Sequence, residues 1–262
     1  MIAVIASACG TLVLLAFYLS PKIRNEFMVS QSWGFDRAVM KKLWHFGCPG
    51  GLEFLFNLLA FTTMVFVLHS EGVIAAAATT VAFNWDMVTY IPLMGMEIGV
   101  TSLVGRYMGA QQIDVVRRVV VSGLKMGLVY GVLMIVVFAS IPVHLVDIFR
   151  PDLSDGIFSQ AEPLAISMVK LVAFYVMAQA VFMVFIGALR GAGDTMWAMR
   201  ISVGLHWLIL GILFVMLKIF HTSVYHAWLT LVLVFMAFSI APYLRYRAGK
   251  WKSIRVVGPE IE

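Results

Sequence analysis

The chain has 262 residues, of which 61% are hydrophobic and 13% are charged. A soluble domain is nearer half apolar and a quarter charged, so this composition excludes a soluble enzyme, a nucleic-acid-binding domain and a disulfide-rich secreted module. The mean hydropathy of +0.93 and the net charge of +5 instead suit a chain that lies in bilayer hydrocarbon and meets water at basic loops.

Seven apolar runs of about 20 residues follow one another along the chain. They are residues 2–19, 45–69, 74–103, 119–141, 164–189, 201–220 and 225–243. Each run is long enough, at about 1.5 Å of rise per residue, to cross a hydrocarbon core about 30 Å thick. We therefore predict an all-α integral membrane bundle with about seven transmembrane helices.

The basic residues alternate between the two sides of these spans. Of the 19 Lys and Arg residues, 16 lie in segments 20–44, 104–118, 190–200 and 244–262 or at Lys125. This positive-inside pattern predicts a multi-pass protein of the cell membrane with its carboxy terminus in the cytoplasm and its amino terminus outside. The basic residues are interpreted as topology signals and contacts with anionic lipid headgroups, with no nucleic-acid partner.

Spans and charges together divide the chain into four segments. Residues 1–19 form a transmembrane helix, and 20–44 form a basic cytoplasmic linker with an amphipathic stretch. Residues 45–243 form a six-helix transmembrane lobe, and 244–262 form a basic cytoplasmic tail. Because Met1 leads directly into an apolar run with no cytoplasmic flank, we expect the chain to begin partway through a longer protein.

Three glycine-rich motifs mark the ends of the predicted spans. They are FGCPGG at 46–51, IPLMG at 91–95 followed by SLVGRYMGA at 102–110, and GALRGAGDT at 187–195. In this order and at this spacing, the chain resembles the carboxy-terminal half of the MATE (multidrug and toxic compound extrusion) family. The resemblance implies two six-helix lobes, with the first span here matching the last helix of the first lobe and the remaining six matching the second lobe.

The resemblance also implies an activity: secondary active efflux of cationic or amphipathic organic compounds by antiport with sodium or protons, without a cofactor. Since one lobe lacks a second body to rock against, a missing first lobe or a second copy is the expected partner. The alternatives are a lipid-linked oligosaccharide flippase of the same superfamily and a seven-helix receptor-like protein. Enzyme activity has no support, because no nucleophile–histidine–acid set is visible.

Acidic residues inside the spans are the main functional candidates, since a charge at mid-span costs about 2.5–3.5 kcal/mol. Glu53 and Glu97 lie on neighbouring antiparallel spans at equal predicted depth, so the two carboxylates are expected to face each other and to share a proton or bind a cation. Alternatively, Glu97 lies close enough to the inner boundary to reach water. Asp86, near the middle of its span, is expected either to face a polar cavity or to be a buried structural acid.

The resemblance adds three further positions. Some MATE transporters carry a glutamate two turns after the glycine–proline motif and an aspartate three turns before the leucine–arginine–glycine motif, and these carboxylates bind sodium or protons. The matching positions here are Asn57 and Gln179, which are neutral amides, while Tyr175 fits the pattern. The amides can ligate a cation or hydrogen-bond a drug but cannot exchange a proton. Because Glu53 lies one turn from Asn57, a sodium site is expected near that pair.

The motif residues have simpler predicted roles in packing. Gly95 and Gly99, like Gly187 and Gly191, present small side chains at four-residue spacing, which predicts close approach of neighbouring helices. Arg190 ends its span and is expected to face the cytoplasmic headgroups.

Overall fold

The structure is a computed structural model that describes residues 2–21, 34–151 and 156–254. Within these ranges the chain is helical without a β-strand, which confirms the predicted all-α class. The helices are α1 (Ile2–Tyr18), α2 (Arg37–His69), α3 (Val73–Gly109), α4 (Ile113–Ser140), α5 (Pro142–Asp147), α6 (Gly156–Gly191), α7 (Thr195–Phe214), α8 (Val224–Phe238) and α9 (Ile240–Arg247). A π-helical turn, Val215–Ile219, continues α7, and a 3-10 turn, Lys250–Ser253, follows α9.

Six helical segments of the described ranges are long and apolar enough to cross a membrane. They are Arg37–His69, Val73–Gly109, Ile113–Ser140, Gly156–Gly191, Thr195–Ile219 and Val224–Arg247. The predicted first span corresponds to α1, a shorter apolar helix of 17 residues and about 25 Å, and its crossing of the membrane stays a prediction. The chain is a multi-pass membrane protein with six full spans and one shorter apolar helix in its described part.

The second span begins earlier than the sequence suggested. Residues at the end of the predicted linker, 20–44, belong to α2, which starts at Arg37. The Asp36 carboxylate accepts hydrogen bonds from the backbone N–H groups of Ala38 and Val39, at 2.8 and 3.2 Å. It therefore caps the amino-terminal end of α2. Residues 22–33 of that linker lie outside the described residues.

The predicted tail, 244–262, also begins as folded structure, because α9 extends into it. Trp251 is 1% exposed and stacks on Tyr246 with ring centroids 4.9 Å apart. Its indole N–H donates to the Tyr246 carbonyl at 2.7 Å. Gly249, with φ of +75°, allows the chain to turn back for this contact. Residues 255–262 lie outside the described ranges.

The chain divides into two compact units, Met1–Trp44 and His45–Glu262. The first contains α1 and the first turns of α2. In the second, α6 is the central helix: every residue from Phe182 to Leu189 is buried, so this stretch is surrounded on all sides. Polar side chains that α6 carries, or that point towards it, therefore lie in the interior of the protein rather than in lipid.

Close packing of α6 on α3 depends on two glycines at the end of α6. A Cβ atom on Gly187 would lie 2.8 Å from the Glu97 carbonyl oxygen, and one on Gly191 would collide with the α3 backbone. The predicted small-residue face at Gly187 and Gly191 is thus confirmed. The matching prediction for Gly95 and Gly99 is wrong: both are exposed with nothing within 4 Å, because this face of α3 points away from α6.

A second glycine face, which the sequence did not single out, lies on α4. Gly123, Gly127 and Gly131 recur every four residues, and a Cβ on Gly131 would lie 2.8 Å from the Cγ of Met177 on α6. A Cβ on Gly123 would meet Val100 on α3 at the same distance. This face holds α4 in the groove between α3 and α6.

Candidate functional site

One polar cluster, which we call the arginine site, consists of Arg190, Glu53 and Glu97. Glu53 on α2 is 3% exposed and Glu97 on α3 is 6% exposed. Arg190, in the last turn of α6, places its Nη2 atom 2.5 Å from Oε1 of Glu53. Its Nη1 atom donates to Oε1 of Glu97. One guanidinium therefore holds two buried carboxylates that come from different helices.

The arginine site agrees with one expectation and corrects another. Glu53 and Glu97 lie together, as their predicted depths indicated. Arg190, however, lies between them, so the expectation that it faces the headgroups is wrong. Two buried carboxylates without a cation would be costly, and a guanidinium with donors on both sides offsets one of their two negative charges. One negative charge of this cluster has no partner cation among the described residues, so the expected shared proton or bound cation stays a prediction.

Packing of α6 on α3 positions Arg190. The glycines at 187 and 191 allow the two helices to approach, and the Thr101 hydroxyl donates to the Gly187 carbonyl at 3.1 Å across the contact. Because Arg190 lies between these glycines in sequence and Glu97 lies one turn before Thr101, the same contact brings guanidinium and carboxylate together.

The GALRGAGDT motif contains a second residue that forms an ion pair, Asp194, four residues after Arg190. Asp194 is 4% exposed and begins α7, and its carboxylate accepts from Nε and Nη2 of Arg245 at 2.7 and 3.2 Å. The Arg245 guanidinium also lies 4.7 Å from the centre of the Trp197 ring. Arg190 thus joins the motif to α2 and α3, while Asp194 joins it to α9.

The second polar cluster, which we call the aspartate site, consists of Asp86, Tyr175 and Gln179. Asp86 lies on α3, and the Tyr175 hydroxyl of α6 donates to its Oδ1 atom. Gln179, one turn further along α6, lies within interaction range of the Asp86 side chain. Tyr175 and Gln179 are 6% and 4% exposed. The structure therefore brings together three of the six candidates named from the sequence.

The partners of Asp86 are neutral, in contrast with those of the two glutamates. In the described ranges no Lys or Arg forms an ion pair with Asp86. Tyr90, one turn along α3, is within electrostatic range of both Asp86 and Arg190. The aspartate site is thus close to the arginine site but has no cation of its own.

The side chain of Asn57 hydrogen-bonds to a residue that belongs to neither cluster. Its amide nitrogen donates to the Ser202 hydroxyl of α7 at 2.8 Å. Its Oδ1 atom, like Oε1 of Gln179, is buried and has no hydrogen-bond partner in the described part of the chain. Buried oxygens of this kind are almost always satisfied in proteins, so each has unused capacity to accept a hydrogen bond or to bind a cation.

Metal ligands of the usual kind are not clustered here. Among the described residues, no group of three or more His, Cys, Asp or Glu side chains has the arrangement of a metal site. Glu53 and Asn57 do not share a partner, since one binds Arg190 and the other binds Ser202. A sodium ion near that pair remains a prediction, and it would compete with the guanidinium for Glu53.

The sequence interpretation missed two residues, Arg190 as the partner of the glutamates and Ser202 as the partner of Asn57. A signal for Arg190 was available. Two acids at one depth near the ends of neighbouring spans require a cation at that depth, and Arg190 ends a span on the same side. Ser202 had no such signal, because a serine in a membrane helix satisfies itself within its own backbone.

The amino-acid sequence of this chain matches a known protein family. Residues 51–217 match the MatE family model. A probable multidrug resistance protein NorM from Thermotoga maritima is 26% identical over 246 residues, which cover 90% of this chain and 50% of that protein. Multidrug resistance protein MdtK from Yersinia enterocolitica is 22% identical over 191 residues, covering 72% of this chain and 40% of that one. The chain spans half or less of the length of these relatives.

Solved structures agree with the sequence relatives on the fold. A MATE structure in complex with MaD3S has a TM-score of 0.81 at 17% identity and covers 95% of this chain and 55% of that chain. A MOP superfamily transporter from Pyrococcus furiosus has a TM-score of 0.80 at 16% identity, with 95% and 56% covered. The MATE transporter ClbM in complex with Rb+ has a TM-score of 0.67 at 22% identity, with 83% and 48% covered.

Proposed function

The chain belongs to the MatE family, and from this premise we propose that it forms the second lobe of a multidrug efflux transporter. Its substrates are cationic or amphipathic organic compounds, and efflux is driven by antiport with sodium or protons. The family predicted from the three motifs is confirmed. The activity is our proposal, because the chain spans only half of its Thermotoga relative.

The observation that carries the proposal is the environment of Asp86. A carboxylate inside a span accepts a hydrogen bond from a phenol and lies near an amide, without a compensating cation among the described residues. In hydrocarbon such a group gains stability by taking up a proton or a cation. Carboxylate and amide oxygens are ligands that hard cations such as sodium prefer, and Gln179 has an unpartnered buried oxygen to contribute.

An aromatic wall next to the aspartate site supports an organic cation as the exchanged substrate. The rings of Tyr175 and Phe235 lie with centroids 5.5 Å apart, and those of Phe182 and Phe235 lie 5.8 Å apart. Aromatic faces attract organic cations, and the attraction strengthens when water is excluded. If the organic cation and the coupling ion both require the charge of Asp86, binding of one excludes the other, which is the basis of antiport.

Glu53 and Glu97 have a different role in this proposal. Both carboxylates are bound to Arg190, so we assign them to holding α2, α3 and α6 together rather than to ion coupling. Alternating access needs a second body, which we propose is a first lobe or a second copy of the chain. The proposed orientation has the basic loops and the carboxy terminus in the cytoplasm and the amino terminus outside, in accord with the positive-inside pattern.

The test is transport by the purified full chain in liposomes loaded with a fluorescent organic cation such as ethidium. An inward sodium or proton gradient should drive loss of ethidium, and Asp86→Asn should abolish it. Asp114→Asn is the matched control, since Asp114 has the same chemistry but its side chain is 87% exposed at the start of α4. If two copies act together, the initial rate should rise with the square of the protein density.

Two results would overturn the proposal. The first, which would overturn transport by two copies of this chain, is a folded chain that moves no ethidium under either gradient at any protein density. The second is transport that Asp86→Asn and Asp114→Asn reduce equally, because the charge at the aspartate site would then have no special part in coupling.

A further inference from the structure

A cleft with a volume of about 390 Å³ opens between the start of α4 and the carboxy-terminal segment formed by α9 and the 3-10 turn. We call it the basic cleft. Its floor is apolar and aromatic, formed mainly by Val120, Leu124, Phe185, Tyr246 and Trp251. Its rim carries Arg117, Arg247 and Lys252. It shares no residue with the arginine site or the aspartate site, and no step of the proposed transport uses it.

The floor of the basic cleft is held in place by its own contacts. Phe185 is 4% exposed, and its ring lies 5.2 Å from that of Tyr246. Tyr246 in turn stacks on Trp251, whose indole N–H is already bonded to the Tyr246 carbonyl. Because that donor is satisfied, the floor offers an apolar surface suited to hydrocarbon rather than to a polar solute.

The rim has an excess of positive charge. Among the residues that the structure describes, no acidic side chain lines the cleft. Arg117 forms one ion pair, with Asp114 at 3.8 Å, and both side chains are more than half exposed, so this contact is weak. In the part of the chain that the structure describes, Arg247 and Lys252 form no ion pair. Three cations therefore face an opening with at most one weak counter-ion.

The rim of the basic cleft lies at the ends of two membrane-spanning segments. Arg117 lies in the second turn of α4, and Arg247 is the last residue of α9, so the rim is where two membrane-spanning segments end. That level corresponds to lipid headgroups, whereas the floor continues inward along the apolar part of the bundle. A basic rim above an apolar floor at this depth matches an anionic lipid in both charge and polarity.

We propose that the basic cleft binds one anionic phospholipid. The phosphate lies among Arg117, Arg247 and Lys252, and the first carbons of an acyl chain lie on the aromatic floor. A free phosphate ion has no group for the floor, and a zwitterionic lipid brings a cation of its own to a basic rim. The lipid joins α4 to α9 and thereby stabilises that end of the lobe.

The experiment uses the delipidated full chain in neutral detergent and measures bound lipid by native mass spectrometry. Phosphatidylglycerol should bind at one saturable site, whereas phosphatidylcholine with the same acyl chains should bind much more weakly. Millimolar inorganic phosphate should not displace the bound lipid. Phosphatidylglycerol with brominated acyl chains should quench tryptophan fluorescence, and Trp251→Phe should remove most of that quenching.

Matched variants separate a specific site from general surface charge. Arg117→Gln, Arg247→Gln and Lys252→Gln should each weaken phosphatidylglycerol binding about fivefold. Arg118→Gln and Lys250→Gln remove the same charge next to the cleft without lining it, so they should leave binding unchanged. Truncation after Ile254, which removes Glu260 and Glu262, should also leave it unchanged.

Three outcomes would overturn the proposal. Equal weakening by Arg117→Gln and Arg118→Gln would assign lipid binding to general surface charge. Displacement by inorganic phosphate would make the rim a simple anion site without a lipid. Tighter lipid binding after truncation would show that the chain's own acidic tail is the occupant. Brominated-lipid quenching of the unmodified chain tests the site even if a variant fails to fold.

Discussion

The arginine site and the aspartate site lie in one apolar bundle, yet their carboxylates are stabilised in opposite ways. Glu53 and Glu97 share the guanidinium of Arg190, whereas Asp86 accepts a hydrogen bond from an uncharged phenol and lies near an uncharged amide. A carboxylate bound to a fixed internal cation has less to gain from an ion in solution than one without such a partner. One with neutral partners still has that gain available, so the partner rather than the depth of an acid determines its role.

The largest expected loss of stability follows Arg190→Met, which removes the shared cation. Two carboxylates that are less than a tenth exposed then lose their counter-ion, and we expect the free energy of unfolding to fall by about 3 kcal/mol. This is the low end of the range for buried pairs, because 32% of the Arg190 side chain is exposed. Thermal unfolding in detergent measures the change.

The control for Arg190→Met is the triple variant with Glu53→Gln and Glu97→Gln as well. Removing all three charges should recover most of the lost stability, since no carboxylate is then left without a partner. A loss below about 1 kcal/mol for Arg190→Met alone would mean that the glutamates do not depend on the guanidinium, and the contrast between the two sites would disappear.

A smaller loss is expected from Gly191→Ala, which alters the arginine site through its backbone. The added methyl group would collide with the Thr101 carbonyl and lie 2.9 Å from Cβ of Val104. We expect a cost of about 1–3 kcal/mol, because α6 must move away from α3. Gly99→Ala is the matched control, with nothing within 4 Å, and should stay within about 0.5 kcal/mol. Equal effects of the two would contradict the packing described here.

These two sites also differ in how far the sequence could predict them. Glu53 and Glu97 lie on consecutive spans joined by a tight turn, so counting from that turn gave their common depth. Asp86 and Tyr175 lie on α3 and α6, and no short turn relates these helices. Their contact depends on how the whole bundle packs, which apolar periodicity does not specify for helices that are apolar on all sides.

The all-α class and the approximate number of spans could be predicted from the apolar runs in the sequence. A bilayer fixes the length of a span, so apolar runs give the spans almost directly. It does not fix which face of a span meets a neighbour. Gly99 and Gly191 look equivalent in sequence, but only Gly191 faces another helix. Arg190 was misplaced for the same reason, since the end of a span reaches either headgroups or a neighbouring helix.

Tyr175→Phe tests the aspartate site with a milder change. The variant removes one hydrogen bond to the Asp86 side chain and leaves the ring contact with Phe235 in place. We expect a loss of about 1–2 kcal/mol in the free energy of unfolding and weaker binding of the coupling ion. Tyr225→Phe, on the exposed first turn of α8, should change neither. Unchanged ion binding in Tyr175→Phe would remove Tyr175 from the site.

Among these variants, Asp86→Asn should cause the smallest change in stability and the largest change in transport. The amide keeps the shape of the side chain and an oxygen that accepts from Tyr175, so unfolding should change by less than about 1 kcal/mol. It carries no charge and exchanges no proton, so ion-driven efflux should be lost. Glu97→Gln should behave in the opposite way, with lower stability and efflux retained. If Glu97→Gln abolished efflux while Asp86→Asn preserved it, the coupling charge would belong to the arginine site.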